Sequence, residues 1–137
     1  KGTADIHVAF EMMESLRYLP YMKKKGMIVL NTQKIPPLSV SAGYEIYPTN
    51  IVDQLLDRGL EVYTVNALEI ARSVRELRTV NMVMTGALSR FLPVDESILR
   101  ETIRERLKER FIEVNLEAFN RGREIIDHKE KQTSGAA

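Results

Sequence analysis

The chain has 137 residues, the size of one domain, with 44% apolar and 28% charged residues. Its 20 basic and 19 acidic residues leave a net charge of +1, which argues against a general nucleic-acid binder, since that needs a clustered basic excess. Cysteine is absent, which excludes a disulfide framework, a thiolate zinc site and a cysteine-bound iron–sulfur cluster in this polypeptide.

No run approaches the roughly 20 apolar residues that span a bilayer, so no membrane association is expected. No basic-then-apolar leader opens the sequence, and a cytoplasmic location is expected from that. Position 1 is not Met, and Ala4 to Phe10 already reads as a core strand. We therefore expect upstream residues to be missing.

Glu11 to Met22 places Met12, Met13, Leu16, Leu19 and Tyr21 near helical spacing, with Pro20 ending or distorting the helix. Lys23-Lys24-Lys25-Gly26 then reads as its carboxyl-terminal cap, because cations favour that end of the dipole and Gly supplies a stop. Met27 to Leu30 lacks polar alternation and suits a strand buried on both faces. It breaks into Asn31-Thr32-Gln33-Lys34-Ile35-Pro36-Pro37, where the two prolines forbid a helix. Leu38 to Gly43 alternates apolar and small polar residues, as in an extended segment or edge strand.

Pro48-Thr49-Asn50 opens a short helix with Ile51, Val52, Leu55 and Leu56, closed by Gly59. Leu60 to Val65 is the third strand, with Asn66 at its exit and a helix carrying Leu68, Ile70 and Ala71 behind it. Val80 to Leu92 is apolar nearly all round and reads as a buried helix, in which Gly86 and Ala87 let a neighbour approach closely. Pro93 ends it and Asp95 caps the next helix, whose stripe is Ile98, Leu99, Ile103 and Leu107. Five acidic and five basic residues between Asp95 and Arg110 make the rest of that helix a solvated face with local ion pairs. A last helix from about Phe111 towards Lys131 carries Phe111, Val114, Ala118, Phe119, Gly122, Ile125 and Ile126 on one stripe. That stripe suits either the domain's own sheet or a partner subunit. Gln132 to Ala137 is small and polar and is expected to be a disordered tail.

This order of elements predicts an α/β fold, a three-layer α/β/α sandwich with a mainly parallel sheet, as one domain over residues 1–131. In such sheets ligands and partners gather beyond the carboxyl ends of the strands. Asn31, Thr32, Gln33 and Lys34 stand there, although a plain strand-to-loop exit gives the same pattern. Little else carries chemistry. His7 and His128 are the only histidines, and neither has the patterned partners of a triad or a zinc site. Glu11 and Glu14, one helical turn apart, suit a helix amino end as well as a metal or an acid–base pair. No Gly-rich phosphate loop is present.

Several phrases in order carry a resemblance. Asn31-Thr32-Gln33-Lys34-Ile35-Pro36-Pro37 with Ser39-Val40-Ser41, preceded by Ala4-Asp5, Ala9-Phe10-Glu11 and Leu16 to Tyr21, resembles the beta subunits of indolepyruvate:ferredoxin oxidoreductases. More broadly these phrases are similar to the gamma-type domain of the 2-oxoacid:ferredoxin oxidoreductases. Asn81 to Leu88 resembles that family's buried helix, and Val114 to Phe119 with Gly122-Arg123 its closing helix. The similarity runs from Ala4 to about Ile126. The family's Gly-rich opening is absent, and Asn66 stands where an acidic residue is expected.

The resemblance implies a subunit without cofactors of its own in a cytoplasmic enzyme of anaerobic metabolism. That enzyme oxidatively decarboxylates aryl-2-oxoacids such as indolepyruvate to acyl-coenzyme A and reduces ferredoxin. Thiamine diphosphate and the iron–sulfur clusters would reside on an alpha-type catalytic subunit, with coenzyme A entering the complex. No catalytic or metal-binding residue is expected here. Asn31, Thr32, Gln33, Lys34, Ser41 and Asn81 would face substrate or partner. A subunit acting on pyruvate or 2-oxoglutarate, and a nucleotide-binding or regulatory domain lacking its phosphate loop, remain as alternatives.

Overall fold

The computed structural model describes residues 2–128. Two compact units divide at Thr64/Val65. The expected tail at 132–137 and the end of the last helix towards Lys131 lie outside the described residues.

The first unit begins with β1 (Ala4–Ala9), then α1 (Met12–Arg17), a single 3₁₀ turn (Leu19–Tyr21) and β2 (Met22–Asn31). A one-turn α2 (Leu38–Ser41), α3 (Ile51–Asp57) and β3 (Glu61–Val65) follow. The strands form one sheet in the order β1-β2-β3, and β1 and β2 are parallel, in keeping with the expected α/β class. Ile28, Val29, Leu30 and Asn31 are all fully buried in the central strand. Ile28 and Leu30 join Ala9, Leu55 and Val62 in the core of this unit, against Met13, Leu16 and Tyr47. That explains the unbroken apolar run: a central strand has no solvent face to alternate towards.

Two expectations fail here. The Lys23-Lys24-Lys25 run does not cap a helix. Helix α1 stops at Arg17 because Pro20 lies in the following 3₁₀ turn, and the lysines fall inside β2. Ala4 pairs with Met22 and Ile6 with Met27, so the lysines are extra residues in the ladder and form a bulge. All three side chains are exposed, and Lys25 holds φ 61. The second failure is Leu38 to Gly43, which is not extended. Pro37 precedes a single helical turn closed by Ser41 N–H donating to Pro37 O (2.9 Å) and Ala42 N–H to Leu38 O (2.8 Å). Alternation means a strand only where one face is buried, and here no residue from 36 to 46 is buried.

The second unit is helical, with α4 (Ala67–Ser73), a 3₁₀ turn (Leu77–Thr79), α5 (Val80–Ser89), α6 (Glu96–Arg106) and α7 (Glu109–Asp127). Asn66 and Asp95 cap α4 and α6 by accepting from the Glu69 and Ser97 amides, which accounts for both helix starts. The stripe expected on α6 is only partly inward. Ile103 is buried, Leu99 and Leu107 are half-buried, but Ile98 is exposed. On α7, Ala118, Phe119, Gly122 and Ile126 are buried as expected.

Helix α7 packs on α5 with backbone against backbone. A Cβ added at Gly86 would lie 2.0 Å from Phe119 O, and one added at Gly122 would lie 2.0 Å from Val83 O. Beside this crossing the half-buried Arg123 donates to Ser89 Oγ on α5 (2.7 Å) and pairs with Glu96 on α6 (2.8 Å). Three helices are thus tied by one guanidinium.

Candidate functional site

The carboxyl end of β2 and the amino end of α1 are built as one piece. Asn31 is fully buried, and its Nδ2 donates to Phe10 O (2.9 Å) and to Gln33 Oε1 (3.4 Å). Gln33 O accepts from Met12 N–H (3.0 Å). The strand exit is therefore stitched to the turn between β1 and α1 by side-chain and backbone bonds together. Asn31 turns inward and does not face outward as expected, because a buried amide must find partners of its own.

Glu11 completes the arrangement. It is the N-cap of α1, with Oε2 accepting from Met13 N–H (2.8 Å) and Glu14 N–H (3.2 Å). Its other oxygen, Oε1, accepts from Ile35 N–H (3.2 Å) and from the Tyr47 hydroxyl. Four donors thus meet the two oxygens of one buried carboxylate. Burial pushes the Tyr47 phenol well above its usual value, and the Glu11 carboxylate it bonds pushes it further. The hydroxyl stays a donor at any physiological pH.

Around this buried centre lie the other expected residues. Thr32 and Gln33 are half-buried, while Lys34 and Ser41 are exposed. The Lys34 ammonium stands 6.0 Å above the centre of the Tyr47 ring, at the edge of cation–π range. The Ser41 hydroxyl donates to Pro36 O (3.4 Å). Asn81 belongs to the second unit, exposed on α5, where its carbonyl accepts from the Thr85 hydroxyl. The sequence did not point to Glu11 as a junction or to Tyr47 at all. The available signal was a Glu at a helix start, where the shorter Asp, Asn or Ser is the usual choice.

Between α1 and the segment after β2 lies a groove of about 640 Å³ lined by Met13, Leu16, Arg17, Val40, Ile46 and Pro48, among others. It is largely apolar, with the Arg17 and Glu45 charges on its lining, and offers no nucleophile or acid–base pair. Among the described residues no three His, Asp or Glu side chains gather as a metal set. With no cysteine in the chain, its residues do not suit an iron–sulfur cluster.

His7 on β1 carries a buried Nδ1 without a hydrogen-bond partner, and Tyr18 meets its ring edge-on at 5.6 Å. Burial lowers its pKa below 6.5, against a smaller opposing pull from Glu14. A depressed value means the neutral ring is the one the fold favours. Its contribution is complete above pH 6.5 and is lost as pH falls below that. The urea midpoint of the chain is accordingly expected to drop between pH 7 and pH 5, and His7→Gln to flatten that slope. An unchanged slope in the variant would refute the assignment.

An α/β sheet whose strand exit is locked to a helix start is the architecture of the first unit. This chain belongs to the pyruvate ferredoxin/flavodoxin oxidoreductase family, whose model matches residues 1–125. It is 36% identical over 129 residues to "Indolepyruvate oxidoreductase subunit IorB" of Thermococcus kodakarensis, covering 89% of this chain and 63% of that protein. The like-named protein of Methanothermobacter thermautotrophicus is 37% identical over 125 residues, covering 88% and 64%. The chain therefore spans a little under two thirds of the length of these relatives.

Two solved structures share the fold. One is a 2-oxoglutarate:ferredoxin oxidoreductase from Magnetococcus marinus, with a TM-score of 0.70 and 23% identity, covering 96% of this chain and 21% of that one. The other is a keto/oxoacid ferredoxin oxidoreductase gamma subunit from Geobacter sulfurreducens, with a TM-score of 0.68 and 18% identity, covering 93% and 67%.

Proposed function

We propose that this chain is the gamma-type domain, formed by both units together, of a non-cofactor-bearing subunit of an indolepyruvate:ferredoxin oxidoreductase. It packs against an alpha-type subunit that carries thiamine diphosphate and the iron–sulfur clusters. It thereby supports oxidative decarboxylation of an aryl-2-oxoacid to acyl-coenzyme A with reduction of ferredoxin. The observation that carries this reading is the 36% identity, over 89% of the chain, to a relative named as an indolepyruvate oxidoreductase subunit. Thr32, Gln33, Lys34, Ser41 and Asn81 face the partner or the substrate cavity, and Asn31 holds the exit in shape from below.

Co-expression with the alpha-type subunit tests the proposal. The expected result is a complex that survives gel filtration and reduces ferredoxin with indolepyruvate and coenzyme A faster than with pyruvate or 2-oxoglutarate. The chain by itself should give no turnover. Activity in the isolated chain, or a chain that never enters the complex, would defeat the proposal.

A further inference from the structure

The segment from Pro36 to Ile46 is ordered without a core of its own. None of its side chains is buried, and Leu38, Tyr44 and Ile46 are 83%, 85% and 92% exposed. It contains one helical turn, α2, extended by Gly43 N–H donating to Val40 O (3.0 Å) and Tyr44 N–H to Ser39 O (2.9 Å). A single turn is unstable in water by itself, because nucleation fixes several residues for one bond. Something outside the segment must close it. The residues that flank it, Ile35 and Tyr47, both bond to the same atom, Oε1 of Glu11.

We infer that Glu11 is a latch: by holding Ile35 and Tyr47 it closes the 36–46 segment into a strap over α1, and its release lets that strap unfold locally while the sheet stays folded. The choice of residue supports this. An N-cap is served best by Asp, Asn or Ser, yet this position carries the longer Glu. The extra methylene, about 1.5 Å, lets one oxygen cap α1 while the other reaches across to the strap. Closing both ends on one atom also removes the entropy of an open loop. The strap forms one wall of the groove through Val40, Glu45 and Ile46, and the other wall is Met13, Leu16 and Arg17 of α1. Release would therefore open the groove. The inference goes beyond the proposed function and does not depend on it.

Hydrogen exchange on the whole chain, with two variants, decides the matter. Glu11→Asp keeps the charge and the cap of α1 but withdraws from Ile35 and Tyr47. Tyr47→Phe removes one of the two strap bonds and keeps the ring. Both variants are expected to speed exchange of the Ile35 amide and of the Ser41 to Glu45 amides at least tenfold. The strap amides should exchange through an opening that urea does not promote, while those of Ile28 to Leu30 keep a urea-dependent one. The urea midpoint of Glu11→Asp should fall only by the amount that the strap's own acceleration accounts for. Unchanged strap exchange in both variants would overturn the latch, and so would strap amides that exchange only through the same urea-dependent opening as β2. Failure of the wild-type chain to join an alpha-type subunit would sink the proposed function and leave these exchange readings standing.

Discussion

Gly122→Ala and Gly86→Ala are each expected to destabilise the helical unit by about 3 kcal/mol or more. Overpacking a core commonly costs about 1–3 kcal/mol, because displaced side chains find other rotamers. Here the new methyl would meet backbone instead, Val83 O in one case and Phe119 O in the other, each at 2.0 Å. A carbonyl oxygen within a helix cannot step aside without moving its helix, so α5 and α7 would have to separate. Separation would also strip contacts from Phe119, which is fully buried, and pull Arg123 away from Ser89. Thr85→Ala, exposed on the same helix, is the control and should stay within about 0.5 kcal/mol of the parent. Urea unfolding followed by circular dichroism measures all three. Parent-like stability in Gly122→Ala would show that the two backbones do not meet.

Asn31→Asp is expected to be the most damaging isosteric change at the strand exit, costing about 3–5 kcal/mol at pH 7. The Asn31 amide nitrogen faces two acceptors, Phe10 O at 2.9 Å and Gln33 Oε1 at 3.4 Å. A carboxylate there would set a buried negative charge against both oxygens. Asn31→Ala only removes a donor and should cost less, about 1–3 kcal/mol. The two variants also differ in pH dependence. The protonated Asp can still donate, so the fold raises its pKa above the unfolded value of about 3.9. The damage is then small below that pH and grows as pH rises through and above it. Equal stability of Asn31→Asp and the parent at pH 7 would mean that Asn31 is not enclosed as described.

Much of this was legible beforehand, for identifiable reasons. The apolar run that ends at Leu30, the cap residue Asp95 and the small residue at Gly86 each leave a local mark. An apolar run, a polar residue before a helix and a glycine inside an apolar helix mean nearly the same wherever they occur. The Lys23 to Lys25 run and Leu38 to Gly43 are ambiguous because their local patterns have two solutions. Cations and a Gly fit a helix cap or a bulge, and short alternation fits a strand or an unburied turn. Only the ladder pairing of β1 with β2 and the exposure of residues 36–46 separated them. The likeness to the oxidoreductase family was likewise readable as several phrases in order, although no one phrase carries chemistry.

The sequence by itself determined the α/β class, the lack of thiolate chemistry and the position of the polar strand exit. All three depend on residue type or on neighbours within a few positions along the chain. Only the tertiary structure decided that Asn31 faces inward, that Glu11 gathers Met13, Glu14, Ile35 and Tyr47, and that Gly86 and Gly122 bring two helices into backbone contact. Those facts join residues as far apart as Glu11 and Tyr47 or Val83 and Gly122, and a pattern read along the chain holds no record of which distant donor or carbonyl will arrive beside a given side chain.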